Sequence, residues 1–521
     1  MVDKEMSTVD SLKASFKSGV RLMPEAFSYL IDEAYKVYEI IDGAQGDGPT
    51  AGLKRDGKGK LALNTHHSGG LNPEQGALAL SLKPEGGLSF AGGGYLKLDA
   101  DRQVQFTDFF SLSRRERMEI AQLLGLKRTI VTRIVSPSPE KYESLGYSVS
   151  LNAAGDCLAV GMINKVYVYM RRNRGEWNTS TPIVLESFES DYIRSSWNVS
   201  LNAAGDCLAL ANSRPYDFEK QVGVHMRTNG VWDARKAVWF PAPGSNEIFG
   251  LNISLSAAGD CLVAGGSSST LHMFTRTNGI WDRENPIKFP SPSNAIRFGD
   301  AARLSAAGNC LAVFGEEFFS ARSTIYVYTR TNGLWDTENP IELKAPKGSP
   351  YGFGEVFSLN AEGDRLVMGA GNNLSMIDGR VYLYTRTNGI WDSENPIKFS
   401  APASDVTYFG RSLELNDAGD RLVVGATSRV YLYTCLNDKW NMETPMEILD
   451  PSGNSGNSGN SGNPDNLETF GVSVSLNKAG TILAVGAASE SVDSKSKAGA
   501  VYVFEDVKWK TEDRKQVTVT V

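Results

Sequence analysis

Three stretches decide the reading: TRTNGIWDREN at residues 275–285, TRTNGLWDTEN at 329–339 and TRTNGIWDSEN at 385–395. Asn-Gly is the favoured pair for a two-residue type I′ turn, because both central residues need positive φ and the twist of that turn matches the strands it joins. Each phrase follows an aromatic, β-branched run such as IYVYT or VYLYT, and each precedes a short PIKF or PIEL. The phrase therefore reads as a hairpin connector between a third and a fourth strand.

Working outward, two more strands precede each connector. The first alternates, as in SVSLN at 148–152 or SLELN at 412–416, with apolar residues on one face and Ser or Asn on the other. An A-A-G-D or A-G-D turn leads to a continuous apolar run, CLAVG or RLVVG, as expected of a strand covered on both faces. The turn glycines are Gly155, Gly205, Gly259, Gly308, Gly363, Gly419 and Gly480, so the unit occurs seven times at spacings of 49 to 61 residues. A tryptophan follows in step: Trp177, Trp232, Trp281, Trp335, Trp391, Trp440 and Trp509. Four antiparallel strands repeated at this period define an all-β, seven-bladed β-propeller over 129–521, with blades near 146–190, 196–243, 250–292, 299–346, 354–402, 410–451 and 471–521. The tryptophans are expected to plug between neighbouring blades, a structural role.

The unit F-G-x-S-x-x-L-N-x-x-G-x-x-L-x-V-G-A, followed by G-x-V-Y-x-Y and W, resembles the FG-GAP repeat of integrin α-subunit headpieces and of bacterial surface and phage-like proteins. Phe409-Gly410 with Val424-Gly425-Ala426, and Phe470-Gly471 with Val485-Gly486-Ala487, match it best. Phe249-Gly250, Phe298-Gly299 and Phe353-Gly354 carry the opening pair. The resemblance implies a binding propeller. The D-x-D-x-D-G calcium loop often found in such repeats does not occur in this sequence, so no calcium and no other cofactor is expected. Ring closure needs a strand from one end. Residues 130–135, IVTRIV, line up with outer strands and are expected to dock on blade seven, with the C-terminal VTVTV as competitor.

The first 128 residues follow different rules. Residues 24–41 place Phe27, Leu30, Ile31, Ala34, Val37, Tyr38 and Ile41 at helical spacing behind a proline, within an N-terminal attachment segment spanning 1–50. Residues 113–125, in a connector spanning 106–128, open on a Ser113-x-x-Glu116 capping box. Between them, 51–105 carries GLKRDGKGKLALN, GLNPEQGALALSL and GLSFAGGGYLKLD, whose leucines recur every 17 or 18 residues. Such strands hold too few apolar residues for a private core and need copies from other chains. They resemble the triple β-spiral shaft of adenovirus-type fibres, phage tail fibres and the fibres of extracellular contractile injection systems. The SFKSGVRLMPEAFSYLIDEA stretch also looks like the baseplate-side end of such fibres. That resemblance implies a homotrimer with small helices at the foot, joined to a baseplate or particle protein.

Composition removes several classes of function. A net charge of −7 leaves no basic footprint for nucleic acid and no polybasic patch for anionic lipid. No apolar run is long enough to span a membrane, and the start of the chain has no secretory signal pattern, so synthesis in a cytosol is expected. The fibre resemblance implies that this is a bacterial cytoplasm and that the chain is released as part of an extracellular particle. Cys157, Cys207, Cys261 and Cys310 occupy one repeated G-[DN]-C-L position and read as small buried hydrophobes rather than disulfide partners. His225 and His272 fall in strands, while His66 and His67 lie in a loop without metal-ligand spacing, so no metal is expected. Asp156, Asp206, Asp260, Asp364 and Asp420 form an array, but each follows a turn glycine, where Asp serves local hydrogen bonding. The sequence contains no nucleophile elbow, Walker loop or zincin motif, and an enzyme is not expected.

In each blade the first and third connections share one face and are nearly invariant. The second connections and the links between blades share the other face and vary freely. Loop variation on a rigid scaffold marks a recognition surface. The candidate contacts with a cell-surface receptor or glycan are Arg214, Tyr216, Phe218, Phe318, Phe319, Arg322 and Tyr351. Two readings follow: a receptor-binding tail-fibre-like protein, or a free-standing lectin propeller with one pocket per blade built from the repeated Trp, Arg and Asp. A hydrolase using propeller-face carboxylates stands far behind both.

Overall fold

The chain divides into two compact units, Met1–Arg128 and Thr129–Val517. The computed structural model describes residues 51–55, 61–65, 81–82 and 88–89 of the first, and residues 130–172, 175–187, 197–212, 222–242, 249–266, 270–292, 295–317, 323–346, 349, 354–369, 379–452, 470–505 and 507 of the second. Every regular element among them is a strand. In the first unit Ala51–Arg55 pairs antiparallel with Leu61–Thr65, and Ser81–Leu82 with Leu88–Ser89. The helices expected at 24–41 and 113–125 lie outside the described residues.

The second unit is a seven-bladed propeller. Blade three shows how the sequence builds each sheet. Its innermost strand, Phe249–Leu255, pairs with Cys261–Gly266, which pairs with Thr270–Thr277, which pairs with Ile287–Pro290. Cys261–Gly266 is buried along its whole length, as the unbroken apolar run requires. At the hairpin tip Asn278 and Gly279 have φ of 52° and 82°, the type I′ geometry read from Asn-Gly.

One detail differs from the sequence reading. The fourth strand comes in two pieces: Ile280–Trp281 folds straight back on Arg276 and Thr277, and after a D-x-E-N-P jog residues 287–290 pair with the body of the third strand. Two residues are too few to leave an alternating pattern, and so this piece reads as part of the connector.

The core consists of seven slabs, each lying between two neighbouring blades. Trp281, for example, packs edge-on to Phe240 of the preceding blade, with ring centroids 5.6 Å apart. Trp177, Trp232, Trp391 and Trp440 take the corresponding place in four other slabs, and Trp335 packs half-buried in a fifth. Trp509 lies outside the described residues.

Ile130–Val135 closes the ring as the outer strand of blade seven, pairing antiparallel with Ala500–Glu505. Closure is reinforced by Arg133, which ion-pairs with the buried Glu490 at 2.6 Å, while Tyr502 donates to the same carboxylate at 3.0 Å. Outer strands run away from the repeated turns, so the chain enters the ring on the turn face.

Candidate functional site

On the turn face the A-A-G-D turns are held by their own hydrogen bonds. Ala153 donates its backbone N–H to the Ala203 carbonyl, and the same bond passes from blade to blade until Lys478 returns it to Ala153. Seven such bonds close a ring, one at each blade interface. Within each turn the carboxylate or amide is also engaged: Asn152 Nδ2 donates to Asp156 Oδ1 at 2.8 Å, while Asn152 Oδ1 accepts from the backbone of Asp156 and Cys157. Asp206, Asp364 and Asp420 repeat this with the Asn four residues earlier, and Asp260 does so with Ser256.

Most of the repeated arginines are likewise spent on their own hairpins, although the buried Nε of Arg276 has no partner. Arg227, Arg330 and Arg386 donate through Nε to the carbonyls of Gly230, Gly333 and Gly389. With the indole rings of most repeated tryptophans buried as well, the Trp, Arg and Asp of the repeat do not form an open sugar pocket.

The turn glycine is demanded by neighbour contact. Gly259 has φ of 70°, and a Cβ there would lie 3.0 Å from Asn202 Nδ2 and 3.1 Å from Cys207 Cβ. The four repeated cysteines are buried free thiols. Burial pushes Cys157, Cys207 and Cys310 up to about 12 and Cys261 to about 11, so they stay protonated and inert. In blades five and six Arg365 and Arg421 replace the cysteine and donate to the next turn at Gly419 and Gly480.

An axial channel with a volume of about 400 Å³ runs through the ring. It is lined by the Ser and Asn face of the seven innermost strands, from Tyr147 and Arg411 at the variable-face end to Asp417 and Lys478 at the turn-face end. One position per blade forms a belt halfway along. In five blades it is Ser150, Ser200, Ser254, Ser358 or Ser475, and each Oγ accepts the backbone N–H of the next blade, from Leu201, Leu255, Leu304, Leu415 and Leu151 respectively. In blades four and six the belt position is Arg303 and Glu414.

Both side chains are half-buried and line the channel. Arg303 donates through one nitrogen to Asn252 Oδ1 at 3.2 Å and to the Ala302 carbonyl at 3.1 Å. Burial pushes the Glu414 carboxyl up to about 7 against the opposing pull of Arg303, with Asp417 adding to the rise. Burial also draws the Arg303 and Arg411 guanidiniums below the usual arginine range. Arg411 lies immediately before the strand Ser412–Leu415 that carries Glu414, with its guanidinium carbon 5.9 Å from the Tyr408 ring centroid.

The seven residues expected to contact a receptor, Arg214, Tyr216, Phe218, Phe318, Phe319, Arg322 and Tyr351, all lie outside the described residues. The flanking strand ends place their connections on the face opposite the turns. His225 and His272 are buried strand residues, and His272 is pushed below the ordinary histidine range by burial and by Lys288. Among the described residues no three His, Cys, Asp or Glu gather into a metal-sized cluster, and no helix is long and apolar enough to cross a membrane.

Fold and channel together define a seven-bladed β-propeller with a polar axial channel. No family model matches the sequence, and no curated protein does. Many solved structures resemble the fold. One, described as the structure of U3-55K, aligns with 11% identity over 72% of this chain and 98% of its own, at a TM-score of 0.46.

Proposed function

We propose that this chain is the receptor-binding, tail-fibre-like protein of a phage-tail-like particle. Its N-terminal region would attach to the baseplate, the Gly-Leu repeats would join three chains into a shaft, and the propeller would engage a cell-surface receptor or glycan without chemistry. Synthesis in the bacterial cytoplasm and release with the particle complete this reading. Its main support is topological: the strand at 130–135 brings the chain into the ring on the turn face, opposite the strand ends that lead into the variable connections. Three weak heads on one shaft would gain avidity without any new contact.

The polar axial channel would equally serve a free-standing carbohydrate-binding propeller, which is the second reading. Light scattering separates the two. A trimeric full chain that becomes monomeric when residues 1–128 are removed is the expected result, and a monomer in both forms overturns the fibre.

A further inference from the structure

Seven strands bring one residue each to the belt of the channel, and five of them bring the serine that accepts the next blade's N–H. Arg303 has no acceptor to offer the next blade, and Glu414 brings a carboxyl to a place where its charged form is disfavoured. Desolvating charge is costly. A chain that solves the same packing problem five times with serine gives up local consistency at these two belt positions, which is a pattern expected where a site takes precedence over structure.

We propose that the axial channel binds a small hydroxylated carboxylate, of the class of uronic and sialic acids, with its carboxylate held by Arg303 and Arg411. The proposal rests on the reading of the propeller as a glycan-binding head and names the chemistry it would select. A guanidinium presents a planar fork of donors that matches a carboxylate, and Arg303 commits only one of its nitrogens to the protein. At the turn-face end Lys478 and Asp417 ion-pair at 3.5 Å and cancel, leaving two guanidiniums against one carboxyl in the channel. A chain of net charge −7 thus presents a locally cationic axis.

The belt serines accept through Oγ and keep a proton to donate, which suits sugar hydroxyls. A volume of about 400 Å³ stands near the lower end of ligand cavities and fits one sugar ring better than a chain of them. Tyr147, 44% exposed, stands immediately before its strand as Arg411 does before its own, at the same end of the channel, and offers a flat face to a ring that enters from the variable side.

The test is titration calorimetry of the full-length protein with N-acetylneuraminate, galacturonate and neutral galactose. It is repeated on Arg303→Ser and Glu414→Ser, each of which restores the residue of the other five blades. At least one acid should bind at one site per chain, and galactose at least about tenfold more weakly. Arg303→Ser should weaken the acid by about tenfold or more without lowering the melting temperature. Equal binding of galactose, unchanged binding by Arg303→Ser, or no heat with either acid overturns the proposal. Adhesion of labelled full-length protein to cells is scored separately. Adhesion without acid binding removes the channel site and leaves the attachment reading standing, whereas acid binding without adhesion does the reverse.

Discussion

The slabs between blades and the channel they enclose are made by the same seven repeats, yet they obey the repeat differently. In the slabs nearly every blade gives the same answer: an aromatic plug, a buried second strand and a turn glycine against the neighbour's Cys or Arg. The channel keeps its serine in five blades and abandons it in two, for opposite charges. Fidelity to the repeat marks what the ring needs in order to close, and departure from it marks what one particular ring does.

The largest expected effect lies in the slabs. Trp281→Ala should lower stability by about 3–5 kcal/mol in urea unfolding, because the buried indole leaves a cavity that two rigid sheets cannot collapse. A loss below about 1 kcal/mol would mean that the plug is dispensable and that the slabs tolerate departure as the channel does.

Glu414 should show the opposite sign. Its carboxyl is raised in the folded state, so the folded protein holds this proton more tightly than the unfolded chain. Stability is therefore unaffected below the unfolded value, falls as pH rises towards about 7, and stays lower above it. The charged groups that act on it are Arg303 and Asp417. Glu414→Ser should remove this decline and raise stability at pH 8 by about 1–3 kcal/mol, read as denaturation midpoints across pH. A variant as pH-sensitive as the parent, or less stable at pH 8, would place the carboxylate among the structural groups.

The smallest effect belongs to the belt itself. Ser254→Ala removes the acceptor for the Leu304 N–H and should cost about 1 kcal/mol, leaving the fold intact by circular dichroism.

The fold was legible because its signals are local and repeated. Asn-Gly pairs, turn glycines and unbroken apolar runs each fit within a few residues, and every copy corroborates the others. The outer strand from the N-terminus was legible for the same reason, since IVTRIV aligns with later outer strands. The channel charges were not found. Their trace was present in the letters, ARLS and SLELN against SVSLN, but Arg303 and Glu414 are separated by two repeats of chain, and only closure of the ring brings both to one axis. The contacts chosen on the variable connections rest on loop variation and residue type alone, because no repeat constrains those segments.

The closing strand also has a mechanical meaning. Its six register pairs with Ala500–Glu505 are aligned along the strand, so a pull applied at residue 130 along that axis loads them together in shear instead of peeling them one at a time. Arg133 adds its ion pair to Glu490 inside the loaded segment. A ring pulled along this strand would bear the load through the strongest direction of a β-ladder, and the first structural casualty of excessive force would be the closure of the ring itself.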